Sequence, residues 1–195
     1  MSSLNVNERV IDPTSVRKSY RSIQITTKQP AFLTELNLFN TKDKQTLDAI
    51  KHIWKDNEIA LLEDVFTYES QSTSDVKSRY FVLTGQNEDF ARIRPSAILG
   101  IVKTTAKGKG HTEVDYVRVN PFYVYNNPYS DLQNVGKTMM EAIHNKFSAE
   151  KLTACVPKNI IPFFKKIGWK VSKMTEDTQS VMMEFGKVLK TGIMK

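Results

Sequence analysis

The sequence predicts a mixed α/β domain of the α+β kind, one sheet of about seven strands covered by four helices. Three observations predict it. The chain of 195 residues is 40% apolar and 25% charged, the balance of a soluble globular protein with a core to bury. Short segments rich in β-branched and aromatic residues alternate with a period of two, while others repeat at helical spacing. The helical segments also interrupt the strands singly, in the order β, α(α), β, β, β, α, β, α, β, β.

The elements follow in turn. Residues 1–20 are polar and read as a loose lead-in, leaving 21–195 as a single domain. Residues 22–26 (SIQIT) alternate as a half-buried strand does. From Thr41, a plausible N-cap, Leu47, Ile50, Ile53 and Trp54 recur at helical spacing, and further helix is expected over residues 58–66. Strands follow at 79–84 (RYFVLT), 97–105 and 112–120; the last two are separated by AKGKGH, whose glycines suit a hairpin turn. Val135, Met139, Ala142, Ile143 and Phe147 form one apolar helical stripe. A short strand (151–156), a short helix (159–167) stopped by Gly168, and a closing hairpin (169–175 with 180–185) complete the domain.

Composition removes several function classes. No apolar run approaches the ~20 residues that cross a bilayer, and the first twenty residues lack the apolar segment of a secretory signal. Cys155 is the single cysteine, so no disulfide framework or multi-cysteine zinc site is expected; in its apolar strand it reads as a core residue. His52 and His144 have no second ligand at metal spacing, so no metal is implied. A cytoplasmic location is the default. The net charge is +7, from 28 Lys and Arg against 21 Asp and Glu, yet no dense basic run marks a nucleic-acid arm. Spread in this way, the charge suits a phosphate-bearing small molecule better than a nucleic acid.

Gly136-Lys137-Thr138 resembles the end of a phosphate-binding loop of nucleotide triphosphatases, but that loop needs a glycine five residues earlier, where Asp131 stands. The same stretch opens a helix after an irregular segment. Free N–H groups and the positive end of the dipole make a helix start an anion site, and glycine there would let a ligand approach the backbone.

The neighbouring residues extend this reading. QNVGKT (133–138) resembles the (Q/R)xxGx(G/A) signature of the GNAT superfamily, the acyl-CoA-dependent N-acyltransferases. YVRVNP (116–121) is similar to that family's fourth strand, which runs into V-x-P. NIIPFFKKIGW (159–169) is similar to its closing helix followed by Gly and a bulky aromatic. The resemblance spans roughly residues 20–187 and implies a mixed, mostly antiparallel sheet whose fourth and fifth strands splay apart. It implies acetyl-CoA as cosubstrate: the backbone of Val117, Arg118 and Val119 would hold the pantetheine arm, and Gln133, Asn134, Val135, Gly136, Lys137 and Thr138 the pyrophosphate. Asn159 and Phe164 would complete the donor site.

The departures are Thr138 in place of Gly or Ala, a long loop over 121–132, Asn159 two residues beyond the family's asparagine, and Phe164 where many members place a thiolate-protonating tyrosine. Tyr116, Tyr123, Tyr125 or Tyr129, or water, would then supply that proton. Strand alternation puts His111, Glu113, Asp115, Val117 and Val119 on one side. Counted back from V-x-P, Glu113 falls where several members carry a catalytic base, with Asp115 as the other candidate. The implied activity is acetyl transfer to a primary amine, of a small molecule or a protein, by direct attack in a ternary complex. A catalytically weak CoA-binding or protein-interaction module is the alternative, and homodimer formation is left open. Acidic residues at 58, 63, 64, 69, 88 and 89 would suit a cationic acceptor.

Overall fold

The computed structural model describes residues 11–20, 25–36, 40–54, 78–85, 93–123, 132–174 and 179–185. The strands are β1 (Ile11–Tyr20), β2 (Ile25–Leu36), β3 (Ser78–Thr84), β4 (Ile98–Gly108), β5 (His111–Val119), β6 (Leu132–Gln133), β7 (Lys151–Pro157), β8 (Trp169–Met174) and β9 (Ser180–Phe185). The helices are α1 (Thr41–Ile53), α2 (Val135–Lys146) and α3 (Ile161–Lys166). The helix expected over 58–66 lies outside the described residues.

Local chemistry explains the boundaries. Asn40, not Thr41, caps α1: its side chain accepts from the Lys42 N–H at 2.9 Å, satisfying one donor of the open first turn. The β4–β5 hairpin turns at Lys109 and Gly110; φ of +71° at Gly110 lies in the left-handed region that favours glycine. Proline at the start of α3 leaves no helical bond unmade there.

All nine strands join one sheet in the order β6-β1-β2-β3-β4-β5-β7-β9-β8. Six of them, β3 to β5 and β7 to β9, are strands expected from the sequence; the strand expected over 22–26 overlaps β2 only at residues 25–26, and β2 runs on to Leu36. β5 and β7 are parallel and the other pairs antiparallel. For residues 11–20 the reading as a loose lead-in is corrected: Ile11–Tyr20 pairs with β2 along its whole length, while residues 1–10 lie outside the described residues. β2 meets β3 only through Phe32–Leu36, so its first half and β1 reach beyond the sheet as an arm. β6 docks on this arm opposite Arg17 and Lys18.

Helices cover both faces. Against one face pack α2 and α3, burying Phe81, Leu83, Val102, Val114, Met139, Ile143, Leu152 and Phe164. Against the other packs α1, burying Leu47, Ile50 and Trp54 with Tyr80, Val82, Ile98 and Ile101. At about 25 cal/mol per Å² of apolar surface buried, these two clusters supply the main driving force for folding. Among the described residues, no helix is long and apolar enough to cross a membrane.

Candidate active site

The parallel strands β5 and β7 are paired only at His111–Lys151, Thr112–Leu152 and Glu113–Thr153. That end is pinned by side chains: His111 Nε2 lies 2.8 Å from Thr153 Oγ1, and the Thr112 hydroxyl donates to the Glu150 carboxylate. Beyond Glu113 the strands part. Val117, Arg118 and Val119 stay paired with Val102, Ile101 and Gly100 of β4, but no described strand pairs with their other side. The result is a V whose open flank presents extended backbone. β5 stops at Asn120, whose Nδ2 donates to the Ile98 carbonyl at 3.0 Å and whose Oδ1 accepts from the Phe122 N–H.

The start of α2 stands at the open end of this V. Asn134 adopts a left-handed conformation, φ 60°, and the first helical bond runs from the Thr138 N–H to the Asn134 carbonyl at 2.9 Å. The N–H groups of Val135, Gly136 and Lys137 therefore precede the helical ladder and face outward from it. A β-carbon on Gly136 would lie 3.2 Å from Val119 Cγ2 and 3.5 Å from Phe163 Cζ. Close packing against β5 and α3 is thus a second reason for glycine here, and that packing brings the helix start to the strand edge.

The other expected donor residues separate. Val135 and Thr138 are buried, so Val135 can offer a ligand only its backbone. Asn134 is exposed, Lys137 is half-buried with Nζ 3.6 Å from Glu141, and Asn159 is exposed in the turn that follows β7. The side chain of Gln133 lies outside the description. Phe164 is 3% exposed, edge-on to Phe163 and Trp169 at centroid distances of 5.5 and 5.3 Å. It is a core residue rather than a lining one. The half-exposed ring at the site is Phe163, which the sequence motif does not distinguish from its neighbour. Phe164→Tyr is therefore expected to cost stability, because its hydroxyl enters an aromatic cluster. A fall in the unfolding midpoint with no gain in any transfer rate would bear this out; a faster rate would show that the hydroxyl reaches the site.

Side-chain alternation along β5 is broken by a bulge. Tyr116 pairs with Lys103 and Val114 with Thr104, leaving Asp115 unmatched. The extra residue reverses the facing of everything beyond it. Val114, Val117 and Val119 pack on the α2 side, whereas Tyr116 packs on the α1 side, with Glu113 and Asp115. The expectation that Glu113, Asp115, Val117 and Val119 share one face is thus corrected. The bulge separates the two carboxylates from the donor-facing valines and turns them to the opposite side of the sheet.

Glu113 lies at the point of the V, its carboxylate 3.1 Å from Lys107 Nζ. Asp115 accepts from Thr105 Oγ1 at 2.5 Å, and Ser78 Oγ is 3.1 Å from the same hydroxyl. Although the residue as a whole is exposed, loss of water around its carboxyl raises the Asp115 pKa; the Thr105 bond opposes this and Glu113 adds to it. A carboxyl whose native pKa is raised binds its proton more tightly folded than unfolded. Its ionisation then destabilises the fold as pH rises from the ordinary value, 3.8, through the raised one. Asp115→Asn should therefore raise the unfolding midpoint at pH 7 and lose that advantage in acid, measured by thermal melts across pH.

Tyr116 is pushed up to about 12 by burial, against a lowering from Arg118. It keeps its proton too firmly to suit a thiolate of ordinary pKa near 8.5. Tyr123 packs on the α2-side cluster; Tyr125 and Tyr129 lie outside the described residues. Cys155 is exposed, not core: Leu152, Ala154 and Val156 take the buried face of β7 and alternation turns Cys155 away. Among the described residues, no three His, Cys, Asp or Glu side chains gather to hold a metal ion.

The splayed parallel pair and the helix start at its open end are the features that the resemblance to the GNAT superfamily implies, and comparison with solved structures finds the same fold. The chain resembles Escherichia coli ElaA (10% identity, 79% of this chain and 98% of that one, TM-score 0.53). It resembles equally an acetyltransferase from Thermus thermophilus (15% identity, 78% and 95%, TM-score 0.53). Tetrahymena GCN5 is similar to the same degree (13% identity, 78% and 94%, TM-score 0.52). No family model matches the sequence, and no curated protein does. The chain has the GNAT fold.

Proposed function

We propose that this protein is an acetyl-CoA-dependent N-acetyltransferase acting on a primary amine, by direct attack in a ternary complex, in the cytoplasm. The observation that carries this reading is the open V between β5 and β7 with the start of α2 at its mouth. An extended arm can add to the unpaired edge at Val117–Val119 as a strand would, and an anion can sit on the amides of Val135, Gly136 and Lys137. The dipole of α2 contributes only about 0.3–1 kcal/mol to such a site. Hydrogen bonds to a charged group, about 1.5–3 kcal/mol each, carry most of the hold. Acetyl-CoA would supply the acyl group on a thiol that leaves readily.

Glu113, on the side of the sheet opposite α2, takes the proton of the incoming amine directly or through a water; Asp115 is the second candidate. A strand amide at Val117 or Val119 polarises the carbonyl oxygen, which gains negative charge as the amine attacks. No side chain needs to protonate the leaving thiolate, in keeping with a buried Phe164. The same buried Phe164 favours a second reading, a module that holds CoA without efficient transfer.

Calorimetric titration with acetyl-CoA and CoA, followed by thiol release over a panel of amines, separates the two. Binding with turnover supports the transferase, binding without turnover the module, and absence of binding overturns both.

A further inference from the structure

Across the bulge at Asp115, the face of β5 that turns away from α2 carries charge in a fixed order. Glu113 and Asp115 stand toward the closed end of the V, the neutral phenol of Tyr116 follows, and Arg118 comes last by alternation beside it. Lys103, opposite Tyr116 in register, lies on the same face; it is 9% exposed, with Nζ 5.7 Å from the centre of the Tyr80 ring. Resting on the transferase reading, we propose that the acceptor is an amine that also bears an anionic group, a carboxylate or a phosphate. Its nitrogen is directed to Glu113 and its anionic group to Arg118 and Lys103.

Three considerations support this orientation. A guanidinium offers two parallel N–H donors that match a carboxylate or phosphate. A cation held with little water, as Lys103 is, gains more from an anion than a solvated lysine does, and repels a second ammonium more strongly. On β5 itself the two carboxylates and Arg118 occupy different stretches, with Lys103 of β4 opposite Tyr116 between them, so an acceptor with opposite charges at its two ends has a preferred direction along the strand. A polyamine would have to place its remote ammonium against Arg118 and Lys103.

The test measures thiol release from acetyl-CoA with matched acceptors: an amino acid and its amide, an amino sugar phosphate and the free amino sugar, and spermidine. The anionic member of at least one pair is expected to exceed its neutral partner at least tenfold in kcat/KM, mainly through KM, and the pair that responds distinguishes carboxylate from phosphate. Arg118→Gln should erase at least tenfold of that preference and Arg118→Lys retain part of it. Lys103→Met is a second probe, and acetyl-CoA titration of each variant verifies that it is folded. Equal or better turnover of the neutral amines or spermidine overturns the inference alone, as does a preference that survives in every variant. Acetyl-CoA binding without turnover of any acceptor overturns it together with the transferase reading.

Discussion

Glu113→Gln is expected to lower kcat/KM for acetyl transfer by about 10²–10³-fold, the usual contribution of a positioned base, while acetyl-CoA still binds. That loss corresponds to about 2.7–4 kcal/mol of transition-state stabilisation. The substitution keeps the shape at the closed end of the V and replaces the ion pair with Lys107, at 3.1 Å, by a neutral contact. The ion pair itself is half-exposed, and its removal should cost no more than about 1 kcal/mol of stability. A fall in rate without a comparable fall in melting temperature would therefore belong to chemistry. An unchanged rate in Glu113→Gln, with Asp115→Asn also unaffected, would remove both carboxylates and leave proton removal to solvent.

Gly100→Ala should meet the tightest contacts of any glycine among the described residues. The new β-carbon would lie 2.7 Å from Met139 Sδ and 3.0 Å from the Arg118 carbonyl oxygen. The sulfur sits on a flexible side chain and can move; the oxygen belongs to the backbone of β5 and cannot move without its strand. Overpacking of this kind costs about 1–3 kcal/mol, more than the roughly 0.4–1 kcal/mol gained by restricting the unfolded chain. A fall of several degrees in the melting temperature is expected. Because Gly100 pairs with Val119, relief of the clash shifts the strand edge that the donor arm would join, so acetyl-CoA affinity should fall as well. A variant that melts and binds as the parent does would show that β4 and β5 yield here without consequence.

Most of the frame can be read from the residues because local and global preferences agree. SVMMEF alternates and forms β9 over Ser180–Phe185, and the stripe from Val135 to Ile143 forms the buried side of α2. Three features are not legible, each for a physical reason. IDPTSVRKSY has a polar, proline-containing composition; it is a strand because β2 offers it ten partners, a tertiary effect that outweighs propensity. The bulge leaves no mark in period-two counting, which therefore gives Tyr116–Val119 the wrong parity. Phe163 and Phe164 are chemically identical neighbours, and only the packing of a short helix decides which is core. Counting along a motif finds the candidate base, but its separation from the donor face needs the register.

Outermost among the described strands, β8 bears on how the molecule meets its own kind. Lys170 and Lys173 are exposed on this rim, and its pairing with β9 is irregular between Val171 and Lys173. Charged side chains and an irregular rim are two of the means by which natural sheets refuse an additional strand. They matter here because Val171 and Met174 are 42% and 59% exposed on the same strand and would otherwise invite contact. Edge-to-edge growth of the sheet from β8 into a second copy would bring lysines of both chains together. Those lysines therefore oppose edge-to-edge association at the place where β8 exposes apolar surface.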